Sequence, residues 1–286
     1  MEMDTIRVNI FDQTCQHHVK DYGYFTSTDG RKPKNITFDL FEDNYDGITL
    51  FTDNIILSDL PKRVNSKIKI AWCLESPAVM PYLHNNIEHV SDNFDYLFTY
   101  RDDLIKKNPN KFLPNSPGGC YLKDKDVNTY IGEKNKNCSS VVSGKQDLEG
   151  HKLRHMIQRS SQGIDFYGWG SPHGKIDDKI VALKDYMFHL TIENIKTTHY
   201  FSEKLIDSLA SGCIPIYWGC KNIGDYFNTD GFIIFDTIED LRKIKLSKKI
   251  YESKLKAIEE NFNLAKKYLS SDEYLAERLI PIYNKL

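Results

Sequence analysis

The sequence contains no stretch approaching the roughly 18 apolar residues of a membrane-spanning helix. Its start, MEMDTIRVNIF, is acidic and has no basic n-region, apolar h-region or cleavage site. No membrane span and a cytoplasmic location are therefore expected. None of the six cysteines forms a Cys-x-x-Cys pair, which argues against a redox or zinc-ribbon motif. Several lie in apolar runs, where a free cysteine behaves as a small hydrophobe, so reduced thiols are expected. The Gly-x-Gly-x-x-Gly dinucleotide fingerprint is missing. There is no internal repeat and no low-complexity segment. Nor is there an excess of either charge. Lys and Arg total 38 against 40 Asp and Glu, a formal charge of −2. That balance argues against a protein that coats nucleic acid. It leaves room for a local basic pocket that takes a small anion.

What is present is an ordinary globular chain of 286 residues, long enough to bury its own core without staples. Aromatics make up 12%, which excludes intrinsic disorder. Apolar runs at 6–11, 47–51, 67–73 and 94–100 read as strands, with helices over 80–90 and 101–107. The rhythm resumes with strands at 139–142, 164–167, 186–192, 214–218 and 232–235, and helices over 150–160 and 203–211. Strands alternating with helices imply βαβ units and parallel sheets.

Residues 106–137 are rich in Lys, Asn, Pro, Gly and Asp, which is linker chemistry. The boundary is placed there. Residues 1–137 are expected to form one Rossmann-like lobe and 138–286 a second, with a cleft between them. Ligands of such folds bind beyond the carboxyl ends of the strands. The tail is helical, with Tyr251, Leu255, Ile258, Phe262, Ala265 and Leu269 at spacings of three and four. A last helix capped by Ser270 or Ser271 is expected to run to Ile280 and stop at Pro281.

Residues 188–219, FHLTIENIKTTHYFSEKLIDSLASGCIPIYWG, carry the most information. FHLTI is a strand and IENIKTTHYF a polar loop. Ser202 is a good N-cap for the helix that follows. Leu205, Ile206 and Leu209 give that helix its buried face, and Gly212 is placed to end it in the left-handed conformation. CIPIYWG is an apolar strand. The helix N-terminus offers unpaired N–H groups and the positive end of its dipole to an anion. Lys204 in the first turn opposes that dipole, which makes sense beside a polyanion such as a diphosphate.

Glu193-Asn194, Tyr200, Ser202-Glu203-Lys204, Gly212, Ile214-Pro215-Ile216 and Gly219 together resemble the signature of glycosyltransferase family 10, the α-1,3/1,4-fucosyltransferases. The family pattern runs E-N-x-x-x-x-x-Y-x-[ST]-E-K and then G-x-[IV]-P-[IV]-x-x-G. Every fixed position and spacing fits. Gly150-His151-Lys152-Leu153-Arg154-His155 resembles the family helix that carries a phosphate-binding arginine. Trp72-Cys73-Leu74-Glu75-Ser76-Pro77, with Phe94-Asp95-Tyr96 downstream, resembles the segment that carries the general base. The resemblance touches residues from about 68 to 235. It is specific in the second half and loose in the first.

The resemblance implies an α/β fold of GT-B type, two Rossmann-like lobes with a helical C-terminal tail. It implies inverting transfer of L-fucose from GDP-β-L-fucose to a sugar hydroxyl of a glycan acceptor, with no metal or other cofactor required. Glu75 would take the acceptor's proton. Arg154 and Lys204 would stabilise the departing diphosphate. Asn194, Tyr200 and Glu203 match positions that contact the nucleotide, and Glu193 either positions the sugar or ends a strand. A bland alternative stands beside each: Glu75 as a loop or capping residue, Arg154 and Lys204 as solvated helix charges, Tyr200 as packing, Glu203 as an acid at a helix N-terminus. Lys152 and Arg159 rival Arg154. The expected partners are a nucleotide sugar and a glycan, with self-association into a homodimer left open. The alternatives in function are a related transferase using another nucleotide sugar, or a protein that binds nucleotide or glycan without turnover.

Two further patterns are set aside. Asp124-Lys125-Asp126 spells D-x-D but sits in the Lys-rich linker. His151 and His155 lie at i, i+4, with no third metal ligand in sight and a cationic Arg154 beside them.

Overall fold

The structure, a computed structural model, describes residues 5–13, 16–25, 31–115, 118–127, 131 and 133–286. The chain divides into two compact units.

The first unit holds Met1–Gly119, Thr198–Tyr200 and Ser270–Leu286. Its strands are β1 (Ile6–Phe11), β2 (Ile36–Leu40), β3 (Asn44–Thr52), β4 (Asn65–Trp72), β5 (Tyr96–Thr99) and β6 (Phe112–Pro114). They form one sheet in the order β2-β1-β3-β4-β5-β6, parallel at every pairing. Neighbouring residues along a strand face opposite sides, so a sheet covered on both sides needs continuous apolar runs. Leu50 and Ile70 face one side, where Leu275, Ala276, Leu279 and Ile282 of the helix Ser271–Tyr283 cover them. Phe51 and Ala71 face the other, against Leu83, Ile87 and Leu104.

The second unit holds Cys120–Thr197 and Phe201–Leu269. Its strands are β7 (Lys136–Val142), β8 (Asp165–Gly168), β9 (Tyr186–Ile192), β10 (Ile214–Trp218) and β11 (Ile233–Ile234), in the order β11-β10-β9-β7-β8. All the pairings are parallel. The central strand β9 is buried along its whole length. Phe188, Leu190, Ile214 and Ile216 form the middle of the core, and Tyr251 and Ile258 of the helical tail pack against it.

Two expectations about organisation shift. The units part at Gly119 and Cys120 rather than at 137. The reason is local bonding: Tyr121 N–H donates to Asp207 Oδ1 at 2.7 Å and Cys120 N–H to the Leu269 carbonyl at 3.3 Å. The last helix joins the first unit, because its apolar face completes that unit's core. Ser270 caps it by accepting from Glu273 N–H. The helix passes Pro281 and ends at Tyr283, since a proline so near the end forfeits one backbone bond only.

Strands β2 and β6 escape the apolar-run reading. One is a half-exposed edge strand and the other has three residues. The helix expected over 80–90 is six residues, Pro81–Asn86, followed by a 3-10 turn over Ile87–Asn93. Cys73, Cys120, Cys138, Cys213 and Cys220 are buried, and Cys15 lies outside the described residues.

Candidate functional site

In the second unit the strand order reverses between β7 and β9, the neighbours from which the chain leaves in opposite directions along the sheet. Open α/β sheets bind ligands beyond the strand ends at such a point. A cavity of about 250 Å³ lies there. Ser143 and Lys145 follow β7, and His189, Thr191 and Asn194 come from β9 and its exit.

The helix Glu149–Ser160 brings Arg154 to this cavity. Its first turn packs directly on the exit of β9. Gly150 N–H donates to the Asn194 carbonyl at 3.1 Å, and a Cβ at Gly150 would stand 1.7 Å from the Glu193 carbonyl oxygen. Any side chain there would push the helix off the strand. The close approach sets Arg154 Nη2 3.2 Å from Asn194 Oδ1, while Arg154 Nε donates to the Gly150 carbonyl at 3.2 Å.

The helix Glu203–Ala210 supplies the other wall. Ser202 is its N-cap and accepts from Lys204 N–H at 3.4 Å. Glu193 accepts from Ser202 N–H at 2.9 Å and from Ser202 Oγ at 2.6 Å. Both carboxylate oxygens of this fully buried residue are thereby engaged, and Glu193 is not among the cavity-lining residues. It fixes the helix start from behind. Gly212 ends the helix at φ +71°, as its position implies.

Among the described residues four cations line the cavity, Lys145, Arg154, Lys179 and Lys204, against two acids, Glu203 and Asp207. Lys204 Nζ sits 3.0 Å from Glu203 Oε1 and 3.2 Å from Ser202 Oγ. Lys179 Nζ sits 2.6 Å from Asp207 Oδ2. Burial raises the Glu203 pKa, but Lys204 and Lys179 outweigh it and hold the carboxyl at about 2. Burial likewise pushes the Lys179 ammonium down, and the Asp207 and Glu203 carboxylates outweigh it and keep it above its ordinary value. His151 is pushed down by burial and by the nearby charges of Arg154, Lys145 and Lys204. His189 falls to about 3 through burial, with Lys179 and Lys134 adding to it. Both imidazoles are therefore neutral near pH 7. The cavity is a preformed receiver for an anion.

The structure brings Arg154, Asn194, Glu203 and Lys204 to one cavity and puts Glu193 behind it. Tyr200 and Glu75 belong to the first unit. Tyr200 packs edge-on against Tyr100, with centroids 5.3 Å apart. Glu75 follows β4 and is exposed. Lys145, Lys179, His189 and Asp207 were not singled out from the sequence. Asp207 carried a signal, since it lies one helical turn from Glu203 on the same face. Lys179, at the start of the short 3-10 helix Lys179–Ala182, carried none. Among the described residues no group of three His, Cys, Asp or Glu side chains could hold a metal ion.

Comparison with known proteins bears on this geometry. Residues 131–278 match the family described as glycosyltransferase family 10 (fucosyltransferase), C-term. The α-(1,3)-fucosyltransferase FucT of Helicobacter pylori is 38% identical over 168 residues, 56% of this chain and 34% of that protein. The human 4-galactosyl-N-acetylglucosaminide 3-α-L-fucosyltransferase 9 is 28% identical over 184 residues, 62% of this chain and 48% of that protein. The matched segments thus span less than half the length of these curated relatives. A crystal structure of an α1,3-fucosyltransferase with GDP aligns with a TM-score of 0.52 at 14% identity, covering 98% of this chain and 91% of that one. At that identity the likeness shows the fold, which is of GT-B type with two parallel-sheet α/β units and a C-terminal helix. With the family match covering more than half its length, the chain belongs to glycosyltransferase family 10, the fucosyltransferases.

Proposed function

We propose that this protein is an inverting fucosyltransferase that moves L-fucose from GDP-β-L-fucose to a sugar hydroxyl of a glycan. The observation that carries this reading is the cavity at the β7/β9 switch point, with two more cations than acids and Arg154, Asn194, Glu203 and Lys204 on its walls. The family match and a GDP-bound neighbour of the same fold support the choice of nucleotide.

In this reading Arg154 and Lys204 bind the diphosphate, with Lys145 adding charge. The ionised Glu203 accepts hydrogen bonds from ribose hydroxyls. The acceptor oxygen attacks the anomeric carbon of fucose from the side opposite GDP. Its proton passes to the Glu75 carboxylate, the C–O bond to GDP breaks, and the developing negative charge on the diphosphate is met by Arg154 and Lys204. The chain's own cations do the work a metal does in other transferases. Glu75 suits its part in one respect: its carboxylate makes no hydrogen bond or ion pair to another described residue.

Calorimetric titration with GDP, GDP-fucose, GDP-mannose, UDP-glucose and UDP-galactose tests the nucleotide. Guanine-selective binding that Lys204→Ala weakens 30-fold or more is expected, by analogy with the roughly 2–5 kcal/mol lost when one partner of a buried charge pair is removed. Preference for a uridine nucleotide would refute the donor assignment. Glu75→Gln should lower turnover by about 10²–10⁴ and leave GDP affinity intact. N-acetyllactosamine, the galactosyl-N-acetylglucosamine unit in the human relative's name, is the first acceptor to try.

A further inference from the structure

The segment Cys73–Glu75 at the carboxyl end of β4 has an uncommon bonding pattern. Cys73 N–H still pairs with the backbone, donating to the Phe98 carbonyl at 3.1 Å. Beyond it, side chains take over. Asn115 Nδ2 donates to the Cys73 carbonyl. Leu74 N–H and Glu75 N–H both donate to Asp53 Oδ1, at 2.8 and 3.2 Å. Tyr100 O–H donates to the Leu74 carbonyl at 3.1 Å, and His84 Nε2 lies 2.9 Å from the Glu75 carbonyl. Every backbone polar group from the Cys73 carbonyl to the Glu75 carbonyl is thus held by a side chain, while the Glu75 side chain itself stays exposed.

Asp53 makes two of these bonds under unfavourable conditions. It is a non-glycine residue at φ +40°, a left-handed conformation that L-residues adopt at a cost. It is 9% exposed, and among the described residues no cation pairs with it. The groups facing it are Glu75, Asp12, Cys73 and Tyr100. Nothing in β3 or its connection to β4 requires a carboxylate there. The two amides of the Glu75 segment do, because without an acceptor they would be stranded.

We infer that Asp53 is a positioning residue: it pins the Leu74–Glu75 backbone and so fixes the direction in which the Glu75 carboxylate leaves the sheet. The inference rests on Glu75 being the base. A base that must reach one proton within hydrogen-bond distance gains from a rigid backbone and an uncommitted carboxylate, and this arrangement provides both.

The test uses the full chain, GDP-fucose, N-acetyllactosamine and three variants. Asp53→Ala is expected to lower kcat 10- to 100-fold, with donor KM and GDP affinity within twofold of wild type. Asp53→Asn keeps an oxygen for the two amides and is expected to recover kcat to within about threefold. Amide hydrogen exchange at Leu74 and Glu75 should accelerate at least tenfold in Asp53→Ala and stay near wild type in Asp53→Asn. If Asp53→Ala does not fold, Tyr100→Phe, which removes the hydroxyl that bonds the Leu74 carbonyl and Asn115, takes its place: a drop in kcat at unchanged GDP affinity supports the clasp, and unchanged kcat overturns it. Glu75→Gln separates the two levels. Full activity in Glu75→Gln removes the base assignment, and the inference with it. An inactive Glu75→Gln beside an Asp53→Ala with normal kcat and slow exchange overturns the inference alone.

Discussion

Asp53 and Glu203 occupy corresponding places in the two units. Each is the first residue of the helix that follows the third strand of its sheet, β3 in one and β9 in the other, and each strand flanks the point where strand order reverses. Their surroundings drive them apart. Glu203 meets Lys204 and Lys179 and is held at about 2. Asp53 is raised to about 7, chiefly by burial, with Glu75 and Asp12 adding to it against two backbone N–H bonds that pull it down. One topology therefore carries two opposite electrostatic settings. The second sheet ends in a receiver for negative charge. The first ends in acids, one of which holds its proton to near neutrality. Fold alone predicts neither setting; the residues placed at the strand ends decide it.

The comparison can be broken most severely at Lys179. Lys179→Met removes the cation that faces both Glu203 and the buried Asp207. Stripping the buried Asp207 of this partner should cost about 3–5 kcal/mol, read as a fall in denaturation midpoint. A loss under about 1 kcal/mol would mean that the pair does not set the field of the cavity.

Next comes Asp53. Its folded pKa lies above its unfolded one, so its contribution is present below pH ~4 and is lost as pH rises towards 7. Wild type should lose about 2–4 kcal/mol over that window relative to Asp53→Asn, at up to about 1.4 kcal/mol per pH unit. Parallel pH profiles for the two proteins would place Asp53 at an ordinary pKa.

Glu203 has the reverse sign. Its stabilisation is present above pH ~4.5 and is lost as pH falls towards 2. Glu203→Gln should flatten the acid limb of the stability profile, by less than Asp53→Asn flattens the neutral one, since the Glu203 side chain is 22% exposed. An unchanged acid limb would show that its two lysines do not hold it down.

The smallest effect expected is at His151, which the cavity's cations help to keep neutral. Added GDP should raise its pKa, by up to about one unit, in a proton NMR titration. No movement would place the diphosphate elsewhere.

How much of this was legible beforehand differs between the same two regions. The cavity of the second unit was largely readable, because Asn194, Glu203 and Lys204 fall within one contiguous stretch and Arg154 on one helix. Ser202 and Gly212 could be assigned as cap and stop from local chemistry alone. Lys179 was not, since it reaches Asp207 only through the fold. Glu193 carried the right motif and an ambiguous role, and its two bonds to Ser202 settle what it touches. In the first unit Glu75 was marked by resemblance, but its clasp was invisible. Asp53, His84, Tyr100 and Asn115 are scattered over more than 60 residues and converge only when the sheet is formed. The 3.6-residue period of a helix shows that one face is buried and never against which sheet, so the last helix could not be assigned to the first unit.

That last helix also dictates an order of events on the ribosome. Residues 1–119 are translated before the rest of their own core, since Leu275, Ala276, Leu279 and Ile282 follow only after about 150 further residues. At about 5–20 residues per second the delay is on the order of ten seconds. Meanwhile Cys120–Leu269 is already complete in sequence. The earlier of the two units is the one that must wait, with the face of Leu50 and Ile70 uncovered. Nascent chains of this protein should therefore engage holdase chaperones through the strands of the first sheet.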